Sequence, residues 1–284
     1  MRQSKVFTDN IAIIGGGNIG QAIATGFLST KKIKPSQITI TRKHVDLLDR
    51  FKKRGCMVTD NNHEAIKDST FIIAAVRPEQ AAPLLTSIKK ILNPYQHILI
   101  SIATGITIKR IQEIIGTDIP IVRAMPNTAI AVGESMTSLS SANNENEYII
   151  RVKELFDMVG KTLIIDEIDI LHATILCACG IAYFLRTIRA ASQGGIEIGF
   201  HPAEAIEMAA QTAKGASLTS KKHPEEEIDK VTTPMGITIA GLNQMEHEGL
   251  SSAIIKGIIT SARMAERIRK KWSLQSDSQE KENQ

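Results

Sequence analysis

The sequence IAIIGGGNIGQAIATGF at residues 11–27 decides the fold. Its first four residues, Ile11–Ile14, form an apolar run with the length and composition of a buried strand, and glycines end it. From residue 19 onward, apolar residues recur at positions i, i+3, i+4, i+7 and i+8, which is the spacing of one face of a helix. A strand that passes through glycines directly into a helix predicts the first unit of a nucleotide-binding α/β domain.

The glycines between this strand and helix have the spacing Gly-x-Gly-x-x-Gly, which favours a dinucleotide site over an ordinary glycine-rich turn. The first glycine permits a tight turn, the second lets the backbone approach a pyrophosphate, and the third allows the helix to pack closely on the strand. Free N–H groups at the helix start then meet the anion. We therefore expect the cofactor to bind at Gly15, Gly17, Asn18, Ile19 and Gly20.

The end of the second predicted strand, Ile38–Thr41, indicates which dinucleotide binds. Sites for NAD usually carry Asp or Glu there, whereas this strand ends in Thr41, Arg42 and Lys43. An acid would repel a 2′-phosphate and the basic residues would attract it, so NADP(H) is favoured, with NAD(H) as the second choice. The alternative is that Arg42 and Lys43 merely begin a solvated basic helix, because the basic run continues to Arg54.

Strands and helices alternate through the rest of the first half. The further predicted strands are Phe71–Val76, His97–Ile102, Ile119–Arg123, Ser135–Ser140 and Lys161–Ile165. The further predicted helices are Val45–Arg54, Gln80–Leu92 and Thr107–Ile115. This alternation implies βαβ units and a mainly parallel sheet with helices on both faces.

The second half changes character after about residue 166, where strand-like runs cease. Ala-rich segments at helical spacing replace them: Ile170–Leu176, Ala182–Gln193, Pro202–Leu218, Gly236–His247 and Ser251–Arg269. The predicted fold class is an α/β Rossmann-type N-terminal domain followed by an all-α C-terminal domain. The predicted bounds are 9–165 for the first domain, 166–272 for the helical domain, and 273–284 for a polar, frayed tail.

Composition argues against several other classes of protein. A net charge of +4 and 4% aromatic residues argue against a nucleic-acid partner. The three cysteines are an odd number, so we expect no disulfide framework, and Cys177-Ala178-Cys179 lacks the second ligand pair of a metal site. No apolar run approaches the roughly 18 residues that span a bilayer, and no signal-type segment precedes the first strand. We expect a cytoplasmic protein without a metal or a membrane partner.

Five segments resemble, in order and spacing, the motifs of pyrroline-5-carboxylate reductases. They are Gly15–Gly20, Ala75–Pro78, Ile100–Gly105, Arg123–Thr128 and Val231–Ile239, within about residues 10–270. The resemblance implies reduction of Δ1-pyrroline-5-carboxylate to L-proline, the last step of proline biosynthesis. It also implies that the helical domain joins two subunits as a homodimer, that dimers assemble into a decamer in some members, and that the active site lies between the Rossmann domain and helices of the dimer.

The resemblance assigns residues to the site. Thr238 matches the catalytic, substrate-contacting threonine. The implied substrate-binding residues are Thr233, Gly236, Ile237 and Glu167. The implied cofactor-binding residues beyond the glycine loop and the strand end are Asn62, Ala75, Val76, Arg77, Pro78, Ala103, Met125, Pro126 and Asn127. From the residues alone, Thr238 is equally well a threonine in a helix cap, and the alternative for Asn127 and Thr128 is a turn after Pro126.

The chemistry of the substrate agrees with this assignment. A cyclic imine that carries one carboxylate needs little acid–base machinery, because a protonated imine already accepts hydride well. The protein must orient the two reactants. A helix that begins near Gly236 would present N–H donors to the carboxylate, and the Thr238 hydroxyl would reach the ring nitrogen.

Three departures from the family pattern lie on the substrate side. Ile181 stands where the family commonly has the proline of Ser-Gly-Ser-Gly-Pro-Ala-Tyr, Met235 replaces a glycine, and Lys230 replaces an asparagine. A positive φ at Met235 would cost on the order of 1 kcal/mol or more. These departures keep alternatives open: a paralogue that reduces another imine or a small hydroxyacid, or a non-catalytic cofactor-binding protein.

Overall fold

The computed structural model describes residues 7–219 and 223–282, with side chains described up to residue 268. The chain divides into two compact units. The first contains the chain up to Cys179 together with the segment from Ala265 onward, and the second contains Gly180–Met264. The division between these compact units lies between Cys179 and Gly180, because the first turns of the helical half pack with the sheet. The predicted domain bounds at residues 165 and 166 stay a prediction.

The first unit is built on a sheet of eight strands. The strands are β1 (Ile11–Ile14), β2 (Ile38–Thr41), β3 (Met57–Thr59), β4 (Phe71–Ala74), β5 (Ile98–Ser101), β6 (Ile121–Met125), β7 (Ser135–Ser141) and β8 (Gly160–Ile164). Their order in the sheet is β3-β2-β1-β4-β5-β6-β7-β8. All neighbouring pairs are parallel except the antiparallel pair of β6 and β7. The prediction of a mainly parallel Rossmann-type sheet is confirmed.

Helices cover both faces of this sheet. They are α1 (Asn18–Ser29), α2 (Asp49–Lys52), α3 (Asn62–Lys67), α4 (Pro78–Ile88), α5 (Ile108–Ile115), α6 (Glu147–Phe156) and α7 (Ile170–Ala173), which continues into a π-helical turn, Thr174–Cys179. Side chains alternate across β1: Ile13 lies in one apolar core with Phe27 of α1, whereas Ile14 lies in the other core with Leu85 of α4.

The chain order of the sheet positions the glycine loop. Strand β1 lies between β2 and β4, so the connections after β1 and β4 run to opposite sides of the sheet. Ligands of open α/β sheets bind at such a switch point, beyond the carboxyl ends of the strands. The loop that follows Ile14 lies at this point.

The second unit is helical. It contains α8 (Gly180–Glu197), α9 (Pro202–Thr219), α10 (Pro224–Val231) and α11 (Ile237–His247), and α12 (Leu250–Glu282) begins in it. Helix α8 packs against α9, and between them lies an apolar groove of about 360 Å³. The unit exposes many large apolar side chains, among them Phe184, Leu185 and Ile255. An exposed apolar surface of this kind is typical of a protein interface.

Several predicted elements differ from the structure. The predicted helix Val45–Arg54 is a 3-10 turn, Val45–Leu48, followed by the single turn of α2, and no side chain among the described residues caps its start. The sequence prediction missed β3, α3, α6 and α10. Helix α12 continues through Glu282 because no glycine or proline interrupts the segment after Gly257, so the predicted frayed tail is helical as far as it is described.

One helical stretch contradicts the expectation that no segment is long and apolar enough to cross a membrane. Glu167–Glu197 has 31 residues and a window of mean hydropathy 1.9, of which 22% is buried in the single chain. Alanine, cysteine and glycine separate its larger apolar residues, so the stretch does not stand out as a continuous run of large side chains. The core helix of a soluble assembly has the same length and composition.

Candidate cofactor site and substrate loop

The glycine loop requires glycine at two positions because neighbouring backbone leaves no space for a side chain. Gly15 has φ +108°, and a Cβ there would collide with the carbonyl oxygen of Ala75. A Cβ on Gly20 would collide with the carbonyl oxygen of Gly15. The predicted tight turn at Gly15 and close packing at Gly20 therefore have a direct steric cause.

The middle glycine has a different surrounding. Gly17 is the N-cap residue of α1, and no described heavy atom lies within 4 Å of the place where its Cβ would stand. No side chain of the described residues caps this helix end. The first N–H groups of α1 consequently face open space, which fits the phosphates of a dinucleotide.

The end of β2 is bonded to the glycine loop. Thr41 accepts a hydrogen bond from the Gly16 N–H at 2.7 Å through its carbonyl, and its hydroxyl donates to Asn62 Oδ1 at 2.8 Å. The Arg42 guanidinium donates to the Gly16 carbonyl at 2.8 Å. Arg42 is thus held at the loop rather than extended into solvent, and Lys43 beside it is exposed. Thr41, Arg42 and Lys43 carry no carboxylate themselves, and Asp60, which follows the neighbouring strand β3, is the acidic residue in the same cavity lining. The two basic side chains are suited to a phosphate.

These groups line one cavity of about 1050 Å³ in the first unit. Its lining includes the predicted cofactor residues Gly15, Gly17, Asn18, Ile19, Thr41, Arg42, Lys43, Asn62, Ala75, Val76 and Arg77. The predicted residues that do not line it are Gly20, Pro78, Ala103, Met125, Pro126 and Asn127. Pro78 occupies the first turn of α4, and the last four are buried. Their contact with a cofactor stays a prediction.

The cavity also has walls that the sequence prediction missed. One face of α4 contributes Gln80, Pro83, Leu84 and Ser87, and Asp60 follows the unpredicted strand β3. The α4 residues have the spacing i, i+3, i+4 and i+7 of one helix face. Because α4 begins just after the predicted contacts Ala75–Arg77, this spacing was a signal from which they could have been found.

Glu167 lies in an ion pair with a buried arginine. Arg123 on β6 is 6% exposed, and its guanidinium donates to Glu167 Oε1 at 3.1 Å. The same oxygen accepts the N–H of Ile108, the first residue of α5, at 2.6 Å. Burial lowers the pKa of Arg123, while the hydrogen bond and the charge of Glu167 raise it. The structure therefore gives Glu167 a bracing role within the first unit, and its predicted contact with substrate stays a prediction.

Asn127 is bonded in three directions. Its N–H donates to Ser135 Oγ at 3.2 Å, and its Oδ1 accepts the Ala129 N–H at 3.0 Å, capping a short 3-10 helix, Thr128–Val132. Its Nδ2 donates to the carbonyl of Cys177 at 3.2 Å. The alternative interpretation of Asn127 as a turn residue is therefore correct for Oδ1, whereas Nδ2 reaches a segment distant in sequence.

The predicted substrate loop forms a tight turn in the second unit. The Gly236 N–H donates to the Thr233 carbonyl at 2.9 Å, with Pro234 and Met235 between them. Met235 has φ +60°, which together with Pro234 before it is the pattern of a type II turn. A Cβ on Gly236 would collide with Thr233, so glycine is required there.

The turn leads directly into α11. Gly236 is the N-cap of this helix, Ile237 and Thr238 are its first two residues, and both are exposed. No described side chain caps the helix, so its first N–H groups are available to an anion. The prediction that a helix beginning near Gly236 presents donors to a carboxylate has the required geometry, and the Thr238 hydroxyl stands at the same helix end.

Comparison with known proteins decides the family. A curated relative from Dictyostelium discoideum, pyrroline-5-carboxylate reductase 2, is 44% identical over 272 residues, which cover 89% of this chain and 91% of the relative. The chain belongs to the pyrroline-5-carboxylate reductase family. The family model for pyrroline-5-carboxylate reductase dimerisation matches residues 167–268, and the model described as NADP oxidoreductase coenzyme F420-dependent matches residues 10–105.

Two further members of the reductase family extend the comparison. Pyrroline-5-carboxylate reductase 1 of Dictyostelium discoideum is 46% identical over 273 residues, which cover 91% of this chain but 49% of the relative. The chain thus spans about half the length of that relative. The crystal structure of the Plasmodium falciparum pyrroline carboxylate reductase with NADP bound matches with a TM-score of 0.80, 25% identity, and coverage of 92% and 98% of the two chains.

The three departures from the reductase family's pattern can each be located in the structure. Met235 adopts the left-handed conformation that a glycine would adopt without strain, and its side chain is fully exposed. Lys230 forms an ion pair with Glu227 on α10, at 2.7 Å. Ile181 continues α8 as an ordinary helical residue, so the missing proline leaves the helix unbroken.

Metal chemistry has no visible site in the described parts of the chain. Among the side chains described, at residues 7–219 and 223–268, no group of three His, Cys, Asp or Glu is placed to hold a metal ion. Cys56, Cys177 and Cys179 are free, and burial raises the pKa of Cys56 and of Cys177. These two cysteines therefore remain thiols near neutral pH, which makes them poor nucleophiles.

Proposed function

We propose that the chain reduces 1-pyrroline-5-carboxylate to L-proline with NADPH, the last step of proline biosynthesis. The observation that carries the proposal is the conjunction of an intact dinucleotide cavity with the uncapped Thr233–Thr238 turn and helix start, in a chain 44% identical to a curated reductase over nearly its whole length. NADPH, when bound, supplies the hydride.

The chain's residues hold the cofactor at two charged groups. The first N–H groups of α1, above Gly17, bind the pyrophosphate, and Arg42 with Lys43 bind the 2′-phosphate. The Arg42 side chain is already fixed by its bond to Gly16, so little conformational entropy is lost when it binds. NAD(H) binds more weakly because it lacks the group that these side chains recognise.

The substrate carboxylate binds at the start of α11, at Thr233, Gly236 and Ile237. The Thr238 hydroxyl orients the nitrogen of the protonated imine. The carbon of that bond accepts the hydride, the electrons of the C=N π bond move to the nitrogen, and the nitrogen keeps its proton. No buried acid or base has to be charged, so positioning supplies most of the rate. Glu167 is the acidic residue on the substrate side.

The helical unit assembles two copies of the chain into a homodimer, and the resemblance leaves assembly of dimers into a decamer open. The support is the dimerisation model over residues 167–268, together with the exposed apolar side chains of α8 and α12. The apolar stretch Glu167–Glu197 lies inside that range, so we assign its surface to a second subunit rather than to a membrane. The chain acts in the cytoplasm, without a nucleic acid as partner.

The test is NADPH oxidation by the purified protein with pyrroline-5-carboxylate, alongside NADPH binding measured by fluorescence. We expect turnover together with binding. Binding without turnover would overturn the proposal and favour a non-catalytic protein, whereas turnover of a different imine or a hydroxyacid alone would make the chain a paralogue.

The Thr238→Ala variant tests the substrate side of the proposal. A lost hydrogen bond to a charged group is worth about 1.5–3 kcal/mol, so kcat should fall about 10- to 100-fold while the Kd for NADPH changes less than about twofold. An equal loss of cofactor affinity would show that Thr238 does not act on the substrate. Thr219→Ala, at the end of α9, makes the same chemical change outside the site and should leave both quantities unchanged.

A further inference from the structure

Strand β6 and the residues that directly follow it are tied to the helical segment Glu167–Cys179 at two places. Arg123 pairs with Glu167, and four residues later Asn127 donates from Nδ2 to the Cys177 carbonyl. Both bonds lie inside the first unit, and both connect residues more than forty positions apart in sequence. Two well-separated polar links fix the orientation of a segment, whereas one would leave it free to turn.

The acceptor at Cys177 belongs to an unusual piece of helix. The turn Thr174–Cys179 is π-helical, and an α-helix begins at Gly180. Where bonding changes from i+5 to i+4, the carbonyls near the junction no longer align with the N–H groups ahead of them. Cys177 is half-buried, and an outside donor satisfies a carbonyl in that position; Asn127 supplies one.

The donor side chain is next to the cofactor cavity. Asn127 is 5% exposed and does not line the cavity, but Thr128, the next residue, does. Asn127 Oδ1 caps the 3-10 helix that begins at Thr128, so one amide group fixes both the cavity wall and the π-helical turn. The two ends of the amide act on different segments, because the oxygen holds the wall and the nitrogen holds the turn.

We propose that Asn127 is a positioning residue, whose Nδ2–Cys177 bond sets the π-helical turn Thr174–Cys179 relative to the cofactor wall at Thr128. The inference rests on the proposed reductase function and deepens it. In this proposal Asn127 acts through the Cys177 carbonyl and the wall at Thr128 rather than by contact with the reactants, and it acts on the rate because a displacement of about 1 Å between reacting groups costs about a hundredfold in rate.

The Asn127→Asp variant changes only the donor end of this amide. Asp keeps the oxygen that caps Thr128–Val132, and it puts a second oxygen against the Cys177 carbonyl in place of the donor. With turnover by the unaltered protein established first, we expect kcat to fall at least about tenfold, with the Kd for NADPH within about twofold. Hydrogen exchange of the amides in Thr174–Cys179 should become faster in the full-length variant, whether or not substrate is turned over.

The pH profile gives a signature that a general loss of stability would not give. A carboxyl group facing a carbonyl in a buried place has a raised pKa, and once protonated it donates its O–H to that carbonyl. The rate deficit of Asn127→Asp relative to the unaltered protein should therefore shrink as the pH falls from 8 toward 6, values chosen to bracket such a raised pKa. A deficit that is constant across this range would overturn the proposal.

Asn144→Asp is a matched control. Asn144 also accepts a backbone N–H, from Ser141, through Oδ1, and donates from Nδ2 to a backbone carbonyl, that of Ile165. It does not line the cofactor cavity. We expect Asn144→Asp to leave kcat and the exchange of Thr174–Cys179 unchanged.

Other outcomes separate the competing explanations. If the unaltered protein turns over no pyrroline-5-carboxylate, the proposed function fails, and exchange in Thr174–Cys179 still tests the bond. If Asn127→Asp weakens NADPH binding as much as it lowers kcat, Asn127 contacts the cofactor and the inference is wrong. If Asn127→Asp does not fold, Asn127→Ser, which keeps a capping hydroxyl but is too short to reach Cys177, takes its place with the same expected kcat and Kd.

Discussion

The glycine loop of the first unit and the Thr233–Gly236 turn of the second solve the same problem with different residues. Each turns the chain sharply, contains a left-handed residue, and leads into a helix whose first N–H groups no described side chain caps. In the glycine loop the left-handed residue is Gly15, with φ +108°. In the turn it is Met235, with φ +60°.

The surroundings explain why only one of the two positions tolerates a side chain. The Cβ of any other residue at position 15 would collide with the Ala75 carbonyl, whereas the Met235 side chain is fully exposed. A side chain at position 15 is excluded because backbone next to the sheet occupies the space, whereas a side chain at position 235 costs only backbone strain. The cofactor loop therefore resists substitution for steric reasons, and the substrate loop is where this fold can change at low cost.

The largest effect that tests this difference between the loops is expected for Gly20→Ala. Its Cβ would meet the Gly15 carbonyl oxygen, and since backbone atoms of the loop cannot move aside, we expect a loss of about 3 kcal/mol or more in the free energy of unfolding. Urea denaturation monitored by circular dichroism measures it.

Gly17→Ala is the matched variant for that experiment. Open space surrounds its Cβ position, so stability should change by less than about 1 kcal/mol, while the methyl group intrudes where the phosphates bind and weakens NADPH affinity at least about tenfold. Equal destabilisation by both alanines would contradict the distinction between a closed and an open side of the loop.

Arg42→Ala should have the next largest effect. Removal of a charged hydrogen bond to the 2′-phosphate costs about 1.5–3 kcal/mol, so the Kd for NADPH should rise about 10- to 100-fold and the Kd for NADH should change little. Titration of the variant with each cofactor measures both. If the preference between them does not move, the bond of Arg42 to Gly16 is only structural, and the basic segment is a solvated surface, the alternative that the sequence left open.

What the sequence predicts well in this chain is local. Strand β1, the glycine loop and α1 follow from spacing within about twenty residues, and the α4 face that was missed follows from helical spacing in the same way. Helix α6 was missed although Asn146 caps it and its apolar residues have helical spacing, because the polar start of the segment resembles a loop. Strand β3 has only three residues and lies at the sheet edge, which leaves little pattern to detect.

The rest of the site depends on pairing between distant segments. The bonds of Arg123 to Glu167 and of Asn127 to Cys177 join positions 44 and 50 residues apart. The local sequence around one residue of such a pair does not indicate which distant residue it will bond. The sequence therefore indicates that these residue types matter at these positions. Whether each one supports a neighbouring segment or contacts a ligand depends on the folded chain.

A smaller expected difference between the two units is the pH dependence of their stability. His97, 2% exposed beside β5, accepts the Asn93 N–H at Nδ1, and its Nε2 is buried without a partner in the described chain. Burial lowers the pKa of His97 below its ordinary value of about 6.5. Its contribution to stability is present above pH 6.5 and is lost as the pH falls through the lowered pKa, because protonation then favours the unfolded chain.

His97→Asn keeps an acceptor for the Asn93 N–H and removes the titration. We expect the free energy of unfolding of the unaltered protein to fall between pH 7 and pH 5 more steeply than that of His97→Asn, a range that brackets the ordinary histidine pKa of about 6.5. Amides of the second unit should show no such difference in hydrogen exchange. Parallel slopes for the two proteins would show that His97 does not titrate in this range.

Met235→Gly should have the smallest effect and the opposite sign. A methionine in the left-handed region costs on the order of 1 kcal/mol of strain, which glycine removes. Glycine also raises the conformational entropy of the unfolded chain, and this offsets part of the stabilisation. We expect a net stabilisation below about 1 kcal/mol, or a rise of about 1–3 °C in Tm, measured at fixed protein concentration because assembly affects Tm. Met235→Ala removes the side chain but keeps the strain, so it should not stabilise. If both variants raise Tm equally, the exposed methionine side chain rather than the backbone conformation destabilises the protein. The two loops would then differ in apolar exposure rather than in backbone strain.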